Sequence, residues 1–131
     1  MATEVYDLTQ EEREQREREA QRMANFFKIF ADPTRIRILY ALMNAPACVT
    51  DLAEALERKQ SAVSHQLRIL RESRLVQCKR EGTAVIYALA DDHVRQILSQ
   101  GRRHIGENIP RKENQDTQQL WPNDGEMGQS L

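Results

Sequence analysis

The run CVTDLAEALERKQSAVSHQLRILRESRLV, residues 48–76, restricts the possible folds of this 131-residue chain more than any other stretch. It holds two helical patterns separated by only a few residues near Arg58 and Lys59. In the first, which starts at Thr50 or Asp51, the inward positions are Leu52, Ala53 and Leu56; in the second, which starts at Gln60 or Ser61, they are Val63, Leu67 and Leu70. Such a pair is a helix-turn-helix. Directly after it, LVQCKREGTAVIYALA puts two short alternating strand patterns around Lys79, Arg80, Glu81, Gly82 and Thr83, which reads as a hairpin with a basic tip.

The flanking segments are helical. DLTQEEREQREREAQRMANFFKIF opens with the capping-box pair Thr9 and Glu12 and continues in strong helix formers. Its first half has almost no apolar residue, whereas Met23, Phe26, Phe27, Ile29 and Phe30 make the second half sticky. In ADPTRIRILYALMNAP, Asp32 supplies a cap, Pro33 the first helical position, and Ile36, Leu39, Leu42 and Met43 one apolar stripe before Pro46. ADDHVRQILSQGRRHIGENIP reads as a last helix that Pro110 ends, and the chain beyond it is polar. The fold class is mainly α with a small β-hairpin (α+β), a winged helix-turn-helix. Three parts are expected: an acidic N-terminal arm or helix over 1–22, a DNA-binding and dimerisation domain over 23–107, and a disordered polar tail over 108–131.

Charge sharpens this reading. The formal balance of -1 is unevenly spread: residues 58–80 carry Arg58, Lys59, Arg68, Arg71, Arg74, Lys79 and Arg80 against Glu72 alone, while both ends are acidic. A near-neutral chain with one strongly positive middle fits a local surface for phosphate. In a winged helix the second helix of the pair lies in the major groove and the wing follows the backbone. A helix starting near Gln60 turns Ser61, Ser64, His65 and Arg68 away from the core. These are short or planar hydrogen-bonding side chains suited to base edges and phosphates. Lys79 and Arg80 would meet phosphate and add affinity without sequence information.

Other classes are disfavoured. Cys48 and Cys78 lie thirty residues apart and form no C-x-x-C pair, so neither a disulfide framework nor a zinc knuckle is indicated, and a reducing cytoplasm fits. The start MATEVYDLTQ has the character of neither a signal nor a transit peptide, and no apolar run approaches a membrane span. An enzyme would need a nucleophile or H-E-x-x-H motif, and none is present. A redox-responsive or constitutive regulator using Cys48 and Cys78, and an adaptor working through the acidic N-terminal helix, are the other binding-class readings.

Taken together, ADPTRIRIL, SAVSHQLRILRESRLV and REGTAVIYAL resemble the core of the ArsR/SmtB family, small dimeric winged-helix repressors of bacteria that sense metals. The likeness covers roughly residues 23 to 107. It implies a homodimer on a near-palindromic operator, joined through its N- and C-terminal helices and released by an inducer. The family's arsenic-type site resembles C-V-C-D-L; here the stretch is CVTDL, so Cys48 stands without its second thiol, which leaves a poor trap for a thiophilic ion. A related site would join Cys48 and Asp51 to Cys or His in the N-terminal arm, but residues 1–30 contain neither, so Cys48 reads first as a small half-buried hydrophobe, and a secondary or vestigial metal role for Cys48 and Asp51 is the alternative.

A third family site, D-x-H followed after ten residues by H-x-x-H/E on the last helix, is filled by Asp91, His93, His104 and Glu107. On one helix His93 and His104 lie ~16 Å apart along the axis yet differ by only ~20° in direction. They share a face but cannot share an ion. Two antiparallel copies across a two-fold axis remove the difficulty, with Asp91 set at the helix cap. Two imidazoles and two carboxylates suit Zn2+ in tetrahedral coordination, with Co2+ or Cd2+ as alternatives.

Overall fold

The computed structural model describes residues 7–106, which form five helices and one two-stranded antiparallel sheet. In chain order these are α1 (Gln10–Ile29), α2 (Pro33–Asn44), α3 (Val49–Leu56), α4 (Gln60–Glu72), β1 (Val76–Glu81), β2 (Ala84–Leu89) and α5 (Asp92–His104). The chain divides into two units, Met1–Asp91 and Asp92–Leu131.

The first helix begins where the sequence places it. Thr9 Oγ1 accepts from the Glu12 N–H, and Glu12 returns the bond to the Thr9 N–H, both at 3.0 Å. Every residue from Gln10 to Asn25 is exposed, and only near the end do Phe26 and Phe30 become half-buried. Phe26 packs edge-on against both Phe27 and Phe30, with centroids 5.5 and 5.1 Å away. Met23 and Phe27 remain about half exposed, at 49% and 54%. Asp32 caps α2 by accepting from the Arg35 N–H, with Pro33 at the first position. The buried stripe of α2 is Ile38, Leu39 and Leu42; Ile36 and Met43 are only half-buried, so the helix is rotated relative to the stripe read from sequence.

The helix-turn-helix is built on a dry seam. Leu52, Ala53 and Leu56 of α3 and Val63, Leu67 and Leu70 of α4 are all buried, together with Ile38, Leu39 and Leu42 of α2, Leu75 just before the sheet, and Val76 and Leu89 within it. The first helix of the pair starts at Val49, with Cys48 as its N-cap and no side-chain cap bond, one or two residues before the Thr50 or Asp51 start expected.

Both helices of the pair close in the same way. Glu57 takes a left-handed conformation (φ 56, ψ 49). Its N–H bonds the Glu54 carbonyl, and the Arg58 N–H bonds the Ala53 carbonyl. Arg74 (φ 64) repeats the pattern after α4, with its N–H on Arg71 and the Leu75 N–H on Leu70. These are Schellman closures, in which the left-handed position is ordinarily glycine.

The strands pair from Val76↔Leu89 to Glu81↔Ala84 around a two-residue loop, Gly82 and Thr83. Gly82 has φ +65, a backbone that a tight hairpin needs and that L side chains resist. Lys79 and Arg80 therefore lie on β1, short of the tip. Ala47 bridges Tyr87, which adds a short third edge to the hairpin and ties the α2–α3 connection to it. Cys78 pairs with Tyr87 in register and is half-buried.

The last helix departs from expectation at its end. It stops at His104 rather than at Pro110. Gly106 at φ +83 closes it, with its N–H on the Arg103 carbonyl, so a left-handed glycine ends the helix before the proline is reached. Residues 107–131, including Glu107, Pro110 and the tail, lie outside the described residues, as do residues 1–6.

Leu67, fully buried at the centre of the seam, is expected on truncation to Ala to lose ~2–5 kcal/mol of stability, read as a lower urea midpoint at unchanged m-value. Glu57→Gly is expected to raise stability by roughly 0.5–1 kcal/mol in the same assay, because glycine relieves the left-handed strain.

Candidate nucleic-acid interface and metal ligands

The seam decides what α4 offers to solvent. With Val63, Leu67 and Leu70 at 0% exposure, the 100° step of the helix turns the intervening residues outward. Gln60, Ser61, Ser64, His65 and Arg68 are all exposed, as the sequence pattern requires. These five positions give two hydroxyls, one amide, one imidazole and one guanidinium along a single strip, able to donate and accept at base edges.

The strip borders a groove that the sequence reading did not assemble. Ser64, Arg68, Arg71 and Glu72 of α4 and Tyr87 of β2 line it. Arg71 follows Arg68 by three residues, so helical spacing alone could have put it on the same face. Tyr87 could not be found that way, because its place beside α4 depends on how the sheet folds back.

The wing carries Lys79, Arg80 and Glu81 at its outer end, all exposed. Lys79 Nζ lies 3.3 Å from Glu81 Oε2, and both side chains are well exposed. A solvent-exposed pair of this kind holds its partners weakly, so Lys79 is not sequestered from a phosphate. Lys79 and Arg80, being adjacent on a strand, point to opposite faces of the hairpin.

The metal-ligand candidates fall at the two ends of α5. Asp91 directly precedes its first residue; His93 is in the first turn and His104 is the last helical residue, and all three are exposed. Asp92, between Asp91 and His93, is engaged within the helix by Gln96 at 3.0 Å and Arg95 at 3.8 Å. Glu107, the fourth candidate, lies outside the described residues. Cys48 is half-buried at the start of α3, and Asp51 is exposed in its first turn. Among the described residues no three His, Cys, Asp or Glu side chains converge within the chain. No helix there is long and apolar enough to cross a membrane.

Comparison with known proteins places these features in context. Residues 32–77 match the family described as bacterial regulatory protein, arsR family. The chain is 49% identical over 89 residues to a transcriptional repressor SmtB homolog of Synechocystis sp., covering 68% of this chain and 67% of that protein. It is 35% identical over 83 residues to a cadmium resistance transcriptional regulatory protein CadC homolog of Staphylococcus aureus, covering 63% and 69%. The solution structure of apo-NmtR superposes with a TM-score of 0.63 at 43% identity, over 72% of this chain and 79% of that one. The exposed strip on α4, the basic wing and these matches agree: the chain belongs to the arsR family of bacterial regulatory proteins, winged-helix transcriptional regulators that bind DNA and are not enzymes.

Proposed function

We propose that this protein is a metal-responsive repressor that binds a near-palindromic operator as a homodimer in the cytoplasm. It leaves DNA when a zinc ion, or cobalt or cadmium in its place, is held between two chains. Gln60, Ser61, Ser64, His65 and Arg68 read base edges, while Arg71, Lys79 and Arg80 grip phosphates. In a homodimer two such heads stand about one DNA turn, ~34 Å, apart. The half-exposed Met23 and Phe27 of α1 gain cover in such an assembly, consistent with dimerisation inside the 23–107 domain.

The observation that carries the metal half is the position of His93 and His104, exposed at opposite ends of one 13-residue helix. Eleven residues of rise separate them by ~16 Å, while zinc bonds are ~2.0 to 2.2 Å, so one chain cannot bring both to one ion. Asp91 and His93 of one chain would therefore be completed by His104 and Glu107 of the other, giving two identical sites per dimer. Two neutral imidazoles and two carboxylates fit a tetrahedral divalent ion. Asp91, ahead of the helix rather than within it, is free of the helical divergence that would otherwise part it from His93. The cadmium-resistance regulator among the relatives supports a divalent metal as the class of inducer. When bound, the ion supplies a bridge that favours a dimer whose reading helices no longer match the operator. A coupling of about 1 to 3 kcal/mol, or somewhat more, empties the operator.

The deciding measurement is DNA binding by the purified protein with and without zinc, cobalt or cadmium. His104→Ala is expected to keep operator affinity near wild type and to lose both release by zinc and the intense visible absorption of tetrahedral cobalt; release that persists moves the switch elsewhere. Cys48→Ser is expected to respond to metal like wild type, and a lost response would shift the site to α3. Arg68→Ala and Lys79→Ala are expected to weaken DNA binding, with Lys79→Ala lowering the slope of log K against log salt by about 1.

A further inference from the structure

Arg35 stands in the first turn of α2, where the helix dipole favours a carboxylate and opposes a cation. The turn itself holds no acidic residue, and the capping carboxylate of Asp32 is engaged by the Arg35 backbone N–H. A guanidinium in a locally unfavourable place is explained by what it reaches. The half-buried side chain forks: Nε donates to the Ile29 carbonyl at 2.9 Å, and Nη1 donates to Gln66 Oε1 at 3.1 Å. The first bond satisfies a carbonyl left open at the C-terminus of α1, an end that welcomes positive charge. The second spans 31 residues of sequence to the middle of α4. Arginine can serve two acceptors in fixed directions; the single ammonium of lysine cannot hold that fork.

Gln66 is half-buried, whereas its neighbours Ser64, His65 and Arg68 are exposed. Its amide is therefore used within the protein, on the flank between the buried stripe and the outward strip. The buried stripe sets which face of α4 turns inward and how deeply it sits, but apolar contact is non-directional and opposes small rolls of the helix about its own axis only weakly. A charge-assisted hydrogen bond from the flank is directional and opposes that roll.

We propose that Arg35 is a positioning residue for DNA reading. It fixes the roll of α4 against the end of α1, so that the aim of Ser64, His65 and Arg68 passes through the Arg35–Gln66 bond. This rests on the reading of α4 as the DNA-reading helix. It also gives α1 a physical connection to that helix, through one guanidinium bonded to both.

The test uses the full chain and two duplexes of about three helical turns, ~30 base pairs: one enriched from a random library by the wild-type protein, and a scrambled control. Gln66→Met is expected to weaken binding to the enriched duplex about tenfold, with unchanged binding to the control and an unchanged melting temperature. Gln66→Glu, which still accepts from the guanidinium, is expected to recover most of that loss. Arg35→Lys is expected to resemble Gln66→Met, and the double variant to lose no more than the worse single one. Wild-type affinity in Gln66→Met overturns the inference, as does a Gln66→Glu variant weaker than Gln66→Met or losses that multiply in the double variant. The last two outcomes would make Gln66 a direct DNA contact. If the wild type enriches no duplex, the reading of α4 fails and takes the inference with it; normal enrichment with any of the other overturning outcomes sinks the inference alone.

Discussion

What α4 can present to DNA depends on one dry contact, the seam formed by Leu52 and Leu56 of α3 with Val63, Leu67 and Leu70 of α4. Burial of those side chains is what spares Ser61, Ser64, His65 and Arg68 from packing duty. The polar strip is thus the complement of the core, set by the same 100° step. Without the seam, α4 is a short isolated helix, too short to persist in water.

Most of this was legible because it is periodic. The inward set of both helices, the capping box at Thr9 and the cap at Asp32 all follow from local rules, and the structure places them where those rules do. The departures have physical reasons. The sequence stripe of α2 includes Ile36, but α2 is surrounded on more of its circumference than a single stripe describes, and Ile38 rather than Ile36 is sealed. Pro110 is the conspicuous stop signal after α5, although Gly106 offers an earlier one. A glycine that can adopt positive φ ends a helix as decisively as a proline does.

The candidate site divides along the same line. Residues of α4 could be listed from spacing alone. Tyr87 and the Arg35–Gln66 bond could not, since each joins segments distant in sequence whose meeting is a property of the fold. The metal candidates are a different case: His93 and His104 are visible in the sequence, and the structure gives them the ends of one helix, while the site proposed for them would lie between two chains. Local pattern names the candidates and says nothing of their distances across an interface.

The two left-handed residues Glu57 and Arg74 bracket α4, one before its start and one after its end. Each sits in a closure whose hydrogen bonds fix where the neighbouring helix stops. Only Arg58 and Lys59 separate the closure of α3 from the start of α4, and only Ser73 separates the end of α4 from Arg74. The closures leave α4 little chain at either end through which to lengthen or slip along its axis. On the proposed reading of α4, a descendant that must recognise another operator can change side chains on the strip, at Ser61, Ser64, His65 or Arg68, more readily than it can shift the helix between its two closures.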